Sequence, residues 1–213
     1  MTTGIALENL SQPSLNNGVQ DGVNAAALEM DAYLMLRVRS GCTASFGTLL
    51  SRHRLPVMHF LSRMVRNRAI AEELAQEVFL RVYRSRGSYE PTARFTTWLF
   101  RIATHLALNW MRDERHSQGQ ESLDEAPEGA PTRQVADRSP GVEARLIAQV
   151  KREEIRQAIL RLPAKQRAAV LMHKYQEMDY SQIAEALRCS ESAVKSLLFR
   201  AYECLRARLA QYA

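Results

Sequence analysis

Apolar side chains recur at intervals of three and four residues along most of the chain, which is the spacing of one face of an α-helix. The spacing predicts a first short helix that begins near Ala25 and ends near Gly41. It then predicts helices over about 44–65, 69–84, 94–114, 142–161 and 165–175, followed by a short helical pair. Pro56 falls inside the second helix and is expected to bend or interrupt it. No segment alternates like a strand, so the sequence predicts an all-α fold.

Composition divides the chain into two helical domains. Residues 1–24 are rich in Asn, Gln, Ser and Gly without helical periodicity, which is typical of a flexible leader. Gly, Pro, Ser and acidic residues dominate 117–141, which is typical of a flexible linker. The sequence therefore predicts one helical domain over 25–116 and a second over 142–213, joined by this linker.

The stretch 179–200 has the pattern of a helix-turn-helix. Asp179 and Gln182 have the spacing of a capping box, and Ser190 is placed to cap the second helix. Ala184 is small enough to let the two helices pack closely. The second helix of such a motif enters the DNA major groove, so its outward stripe is the expected DNA-binding surface. That stripe consists of Ser192, Lys195, Ser196, Phe199 and Arg200.

Arg200 is the best candidate for a base contact, because an arginine can bridge a guanine through two hydrogen bonds. A solvated amphipathic hairpin with a basic face is the alternative interpretation. The charge distribution favours DNA. The net charge is +6, and residues 42–116 and 141–213 carry 12 and 13 Lys and Arg against 6 and 8 Asp and Glu. Residues 117–140 carry 2 against 5, so an acidic strip joins two basic domains that suit a polyanion.

Other chemistry finds little support in the sequence. The three cysteines form no paired motif, and no Cys/His set has the spacing of a zinc site, so we expect no metal and no cofactor. Sparse cysteines fit a reducing cytoplasm. No apolar run reaches the roughly 18–20 residues that cross a bilayer, so we expect no membrane insertion. A phosphate loop, a carboxylate cluster and a nucleophile–histidine arrangement are all missing, which argues against a nucleic-acid enzyme.

Motifs in the second domain resemble region four of the extracytoplasmic-function (ECF) sigma factors, the dissociable promoter-recognition subunits of bacterial RNA polymerase. The matching residues are Leu162, Pro163 and Arg167, then Tyr180, Ile183, Ala184 and Leu187, then Ser190, Val194, Lys195, Ser196, Leu198, Arg200 and Ala201. The first domain resembles region two of the same family in the run 73–79 and in Phe95, Trp98, Leu99, Ile102 and Ala103. The resemblance covers about residues 30–116 and 142–210, in the order of the family.

The resemblance implies a transcription initiation factor that binds core RNA polymerase and directs it to promoters. Region two would bind and help to open the −10 element, and region four would bind the −35 element. The family's docking helix implies core polymerase contacts at Glu73, Gln76 and Glu77. Its loop and following helix imply −10 contacts at Ser88, Tyr89, His105, Asn109 and Arg112. An anti-sigma factor is a further implied partner.

Some positions depart from the family pattern, and some alternatives stay open. His105 stands where the family usually has Asn, which leaves the −10 preference open, and Arg188 occupies a turn position where Gly is common. The second helix of the helix-turn-helix is less basic than is typical of the family, because Ala193 replaces a frequent Thr, Leu197 a frequent basic residue and Tyr202 a frequent Arg. The aromatic pair at 95 and 98 could stack on bases, but its spacing favours the core. A stand-alone helix-turn-helix regulator is the alternative function, and it leaves the first domain unexplained.

Overall fold

The computed structural model describes residues 30–120 and 142–210. Within these ranges the chain forms eight α-helices and no strand, so the all-α prediction is confirmed. The helices are α1 (30–39), α2 (Thr43–Met64), α3 (Arg68–Arg84), α4 (Phe95–Gln120), α5 (Val142–Leu160), α6 (Ala164–Tyr175), α7 (Tyr180–Leu187) and α8 (Glu191–Leu209). The predicted leader and residues 121–141 of the predicted linker lie outside the described ranges.

The first domain packs α1 to α4 around an apolar core. Its largest fully buried side chains include Phe60, Phe95 and Phe100, and the rings of Phe60 and Phe100 meet edge to face at 5.3 Å between centroids. Asn67 caps α3 by accepting hydrogen bonds from two main-chain N–H groups. A short 3₁₀ helix, Ser85–Ser88, follows α3 directly and leads into the loop before α4.

The second domain packs α5 to α8 around a smaller core built from Leu162, Leu171, Met172, Ile183 and Leu198. Its two shortest helices, α6 and α7, lie against α8. The two domains also contact each other, because α4 packs against α6 and α7, and α2 packs against α5 and α6. The buried apolar residues therefore form one cluster that runs through both domains.

Helix boundaries differ from the prediction at two places. Pro56 does not end the second helix, and α2 continues through it to Met64. A proline inside a helix removes one N–H bond and crowds the carbonyl of the residue four positions earlier, at a cost of about 3 kcal/mol. Buried residues lie on both sides of Pro56, and their packing offsets that cost. The fourth helix continues to Gln120, past the predicted end at Glu114. No helix in the described part of the chain combines the length and apolarity needed to cross a membrane.

Candidate nucleic-acid interface

The helix-turn-helix is fixed by the predicted caps. Asp179 accepts a hydrogen bond from the main-chain N–H of Gln182 at 2.8 Å, and the Gln182 side chain accepts one from the N–H of Asp179 at 3.0 Å. Ser190 accepts a hydrogen bond from the N–H of Ala193 at 3.2 Å and so caps α8. Each cap satisfies N–H groups that a helix start leaves without partners. The capping predictions are confirmed, and they set where α8 begins.

The outward side of α8 carries all five residues that the sequence predicts for DNA. Ser192, Lys195, Ser196, Phe199 and Arg200 are exposed, and the Phe199 side chain is 69% exposed. The last four of them line one shallow depression of about 390 Å³. The opposite side of α8 is buried through Val194, Leu198 and Ala201. The helix thus presents cationic, hydroxyl and aromatic groups on one side, which is the mixture that phosphates and base edges require.

An aromatic cluster stands behind this surface and holds α8 in place. His173 of α6 stacks on the ring of Tyr180, and its Nδ1 lies 3.1 Å from the hydroxyl oxygen of Tyr202 on α8. Burial lowers the pKa of His173 and raises the pKa of Tyr202. Lys195 Nζ lies 6.0 Å from the centre of the Tyr180 ring, within cation–π range. Tyr202, which stands where the family resemblance expects an arginine, is half-buried and supports α8 through its contact with His173.

The turn between α7 and α8 places Arg188 in the left-handed conformation, with φ 51° and ψ 55°. A side chain with a Cβ costs about 1–2 kcal/mol more than glycine there. The main-chain N–H of Arg188 bonds back to the end of α7, which closes that helix. The side chain lines a cleft of about 290 Å³ between the two domains, opposite α3 and α4.

Four arginines line this cleft, namely Arg81, Arg84, Arg101 and Arg188, together with His105 and Trp98. The sequence reasoning did not select these arginines. Two signals could have found them, because Arg81 and Arg84 lie three residues apart at the end of α3, and Arg101 is the only charged residue in the first half of α4. Glu77 and Glu185 balance part of the charge, with Arg101 3.6 Å from Glu185. The cleft remains cationic beside the predicted −10 residues.

The predicted −10 residues are not all placed alike. Ser88, His105 and Arg112 are exposed, and Asn109 is half-buried on the same helix as His105. Ser88 donates a hydrogen bond to the main-chain oxygen of Ser85 at 3.1 Å, inside the 3₁₀ helix. Arg112 Nε lies 3.1 Å from a carboxylate oxygen of the next residue. Ser88 in the 3₁₀ helix and His105 and Arg112 on α4 are therefore accessible from solvent.

Tyr89 is a correction to the predicted set, because its side chain is only 3% exposed. Its ring meets the rings of Trp98 and Phe95 edge on, at 5.1 Å and 6.3 Å between centroids. Its hydroxyl oxygen has no hydrogen-bond partner within the described ranges. Burial raises the pKa of Tyr89, with Asp31 contributing. The residue supports the loop from inside and presents no surface to DNA in this arrangement. The same cluster confirms that Phe95 is core.

The predicted polymerase face of α3 is exposed at Glu73 and Gln76. Glu77 is half-buried, and its carboxylate lies 2.7 Å from Arg81 and 4.0 Å from Arg84. Part of the Glu77 charge is therefore neutralised by arginines of the same helix. Glu73 has no ion pair within the described residues, so it is the better placed of the two acids to meet a cationic partner.

Comparison with known proteins connects these surfaces to one family. The family model "Sigma-70 region 2" matches residues 49–117, and "Sigma-70, region 4" matches residues 152–205. The RNA polymerase sigma factor CarQ of Myxococcus xanthus is 35% identical over 172 residues, which span 81% of this chain and 93% of CarQ. The ECF RNA polymerase sigma factor SigW of Bacillus subtilis is 29% identical over 177 residues, or 81% of this chain and 93% of SigW.

Two solved structures share the fold. CnrH in complex with the cytosolic domain of CnrY has a TM-score of 0.62 at 19% identity, over 86% of this chain and 99% of that one. The sigma factor RpoE in complex with the anti-sigma factor NepR from Bartonella quintana also has a TM-score of 0.62, at 21% identity, over 78% and 96% of the two chains. The identity and coverage of the sequence relatives decide the assignment: this chain belongs to the ECF family of RNA polymerase sigma factors, and it acts in transcription initiation with core RNA polymerase.

Proposed function

We propose that this sigma factor binds the −35 promoter element as duplex through the outward side of α8. The observation that carries the proposal is the capped helix that presents Lys195, Ser196, Phe199 and Arg200 around one depression. A B-DNA major groove is about 12 Å wide and admits an α-helix. Arg200 supplies two donors to guanine, Lys195 and Ser196 supply phosphate contacts, and Phe199 packs against a thymine methyl group or the sugars.

Arg200→Ala tests this role. We expect −35-dependent initiation by the reconstituted holoenzyme to fall about 5- to 150-fold, which corresponds to a good bidentate base contact of about 1–3 kcal/mol. Arg208→Ala is the matched control, because Arg208 is an exposed arginine near the other end of α8. Core polymerase binding should be the same for both variants. Equal initiation by the two variants would assign base recognition to another residue.

We propose that the first domain binds the −10 element with the exposed side of α4 and the 3₁₀ helix before it. Ser88, His105, Asn109 and Arg112 are the proposed contacts, with Tyr89 as a buried support. Opening the duplex requires capture of unpaired bases, and captured bases offset part of the few kcal/mol spent on unpairing. Arg101 and Arg84, which line the neighbouring cleft, are added as proposed phosphate contacts.

His105→Asn tests the −10 assignment through specificity. Neutral histidine divides donor and acceptor between its two ring nitrogens, whereas asparagine carries both on one amide. We expect the variant to change the rank order of promoters that differ by single −10 bases, while total core binding stays constant. His59→Asn is the control, since His59 is exposed on α2 away from this helix. An unchanged rank order would remove His105 from the contact set.

We propose that Glu73, Gln76 and Glu77 dock on core polymerase. Glu73→Lys is the sharper test, because Glu77 is already paired with arginines of its own helix. We expect weaker association with purified core enzyme in a pull-down. Glu203→Lys on α8 makes the same charge change on an exposed residue of the other domain and should not weaken it. If both variants bind equally well, the docking face lies elsewhere.

We further propose that the protein acts in the cytoplasm, where core polymerase and promoters are found, and that it has no catalytic activity of its own. An anti-sigma factor is a proposed regulator, because one structural relative, RpoE, was solved in complex with the anti-sigma factor NepR, and another, CnrH, was solved with the cytosolic domain of CnrY. Such a partner should compete with core polymerase for this chain. Metal-dependent cleavage of DNA by the purified chain would contradict the non-enzymatic role.

A further inference from the structure

One hydrogen bond from α1 reaches the segment between α3 and α4, residues 85–94, which is called the α3–α4 loop below. Arg39, the last residue of α1, donates from Nη1 to the main-chain oxygen of Tyr89 at 3.2 Å. Among the described residues, the other hydrogen bonds of this loop stay between α3, the 3₁₀ helix and α4, such as the bond from Ser88 to Ser85. The contact joins residues 50 positions apart and involves a helix for which the sequence suggested no role.

A second series of contacts runs from α1 to the ring of the same tyrosine. Asp31 of α1 is 2% exposed, and its two carboxylate oxygens lie 2.8 Å from His53 Nε2 and 2.9 Å from Arg52 Nη1 on α2. The buried His53 ring packs against Phe95 at 5.3 Å between centroids. Phe95 in turn contacts the ring of Tyr89. The helix α1 therefore contacts the main chain of Tyr89 directly and supports its ring through α2 and α4.

The hydroxyl group of Tyr89 takes no part in these contacts. It is buried without a hydrogen-bond partner within the described ranges, and the charge of Asp31 adds to burial in raising the pKa of Tyr89. A buried hydroxyl without a partner contributes no stability. The ring and the main-chain oxygen are therefore the parts of this residue that the fold uses. Ser88 and Glu90, the residues on either side, are exposed, so fixing Tyr89 also fixes the position of its neighbours.

A loop that is ordered before it meets DNA binds more strongly than one that must be ordered on binding. Ordering a backbone costs conformational entropy, and a preorganised loop avoids that cost at the moment of binding. The apparent affinity for a ligand falls with the fraction of molecules that hold the binding conformation. A contact that raises this fraction therefore favours strand capture without touching the DNA.

We propose that α1 positions the α3–α4 loop for capture of the unpaired −10 strand. Arg39 is the positioning residue for the loop's main chain, and Asp31 acts through His53 on the ring of Tyr89. The inference rests on the proposed −10 role of the first domain. Because the Arg39 side chain is exposed, its removal leaves the core of the first domain intact.

The first measurement follows the loop itself in the full chain. The chain has two tryptophans, and fluorine NMR of fluorotryptophan-labelled protein resolves them, with Trp110→Phe giving the assignment. Trp98 meets the ring of Tyr89 at 5.1 Å and so reports on the loop, while Trp110 serves as the internal reference. Arg39→Ala should shift or broaden the Trp98 resonance alone. Arg37→Ala, which removes another exposed arginine of α1, is the matched control and should change neither resonance.

The second measurement follows promoter opening by the reconstituted holoenzyme, through the permanganate reactivity of unpaired thymines. Arg39→Ala should lower the opening constant about 3- to 10-fold, as expected for the loss of one hydrogen bond. Core polymerase affinity and the urea midpoint of the free chain should stay at their wild-type values. Arg39→Lys keeps a charged donor and should recover part of the opening, and Arg37→Ala should open promoters normally.

Two further variants separate the ring from the hydroxyl. Asp31→Asn removes the charge that holds His53 and should disturb the Trp98 resonance and lower the opening constant. Tyr89→Phe keeps the ring and the main-chain oxygen, so opening should stay normal. If Asp31→Asn fails to fold, the variants of Arg39 and Tyr89 decide the question.

Three results would overturn the proposal. The first is an unchanged Trp98 resonance together with normal opening in Arg39→Ala. The second is a loss of opening in Tyr89→Phe, because the hydroxyl would then contact the DNA and the buried position would not be the working one. The third is weaker opening in Arg39→Ala with an unchanged Trp98 resonance and a salt dependence whose slope falls by about 0.7, which would make Arg39 a phosphate contact.

Failure of the −10 assignment gives a different pattern. In that case Arg39→Ala still disturbs the Trp98 resonance, but neither this variant nor His105→Asn changes opening or promoter preference. The contact between α1 and the α3–α4 loop would then stand, and its role in strand capture would be lost together with the −10 role of the first domain.

Discussion

The two proposed DNA-binding surfaces of this sigma factor are built differently. The surface on α8 lies on a capped helix, and all five predicted contacts are exposed. The surface on the first domain borders a cationic cleft that the second domain helps to form, and one predicted contact, Tyr89, is buried. Binding of duplex needs only a preformed shape, whereas capture of an unpaired strand needs a supported loop with access to its bases. The first surface presents all of its proposed contacts to solvent, whereas the second presents Ser88, His105 and Arg112 and encloses Tyr89.

Phe95→Ala should have the largest effect, and it should damage the surface of the first domain while leaving that of α8 intact. Phe95 is fully buried against His53, Tyr89 and Trp98, so the loss of its ring should lower the free energy of unfolding of the first domain by about 3–5 kcal/mol. Promoter opening should fail, while binding of the −35 duplex by α8 should remain. Urea denaturation measures the free energy of unfolding, and hydrogen exchange assigns the loss to one of the two domains.

Phe199→Ala is the control for that experiment, because it makes the same change at a side chain that is 69% exposed. It should change the free energy of unfolding by less than about 0.5 kcal/mol and weaken only −35 binding. Loss of promoter opening with an intact first domain in Phe95→Ala would instead give the ring a direct role at the DNA.

Ser190→Ala should have the next largest effect, confined to the second domain. The serine side chain accepts a hydrogen bond from the N–H of Ala193 at the start of α8. Removal of such a cap lowers the free energy of unfolding by about 1 kcal/mol. Fraying of the first turn would loosen Ser192, so −35 binding should weaken slightly as well. Hydrogen exchange at residues 191–194 reports the fraying, with Ser181→Ala as the exposed control. Equal exchange in both variants would show that tertiary packing alone holds the helix start.

The sequence predicted local features well and distant contacts poorly. The caps of α7 and α8, the buried stripe of α8 and the exposure of its contacts depend on residues a few positions apart, and helical periodicity encodes them. Tyr89 was misplaced because a tyrosine in a polar loop resembles a surface residue until the rings of Phe95 and Trp98 enclose it. The partner of Arg167 in the first domain lies 103 residues away, beyond any local pattern.

Arg188→Gly tests whether the second domain contributes to the surface of the first, because Arg188 belongs to the second domain but lines the cleft beside the first. Glycine adopts the left-handed conformation without the Cβ penalty, although it also loses more entropy on folding. We expect the free energy of unfolding of the second domain to rise by about 0.5–1 kcal/mol. Initiation should fall if the cleft binds the opened strand. Ala207→Gly, in a helical position, should destabilise instead and serves as the control.

The smallest effect concerns pH and the support behind α8. Burial, with a smaller contribution from Lys174, lowers the pKa of His173 below its ordinary value of 6.5. The unfolded chain then binds this proton more readily than the folded chain, so the free energy of unfolding of the second domain should fall as pH drops below about 6.5. It should level off below the folded-state pKa. A charged ring can only donate, which leaves the Tyr202 hydroxyl oxygen as the acceptor of the 3.1 Å contact.

His173→Gln should remove this part of the pH dependence, whereas His59→Gln should not. Urea unfolding midpoints at pH 7.5 and 5.5 measure this pH dependence. If His173→Gln loses as much stability between the two pH values as the wild type, the titrating group lies outside this aromatic cluster.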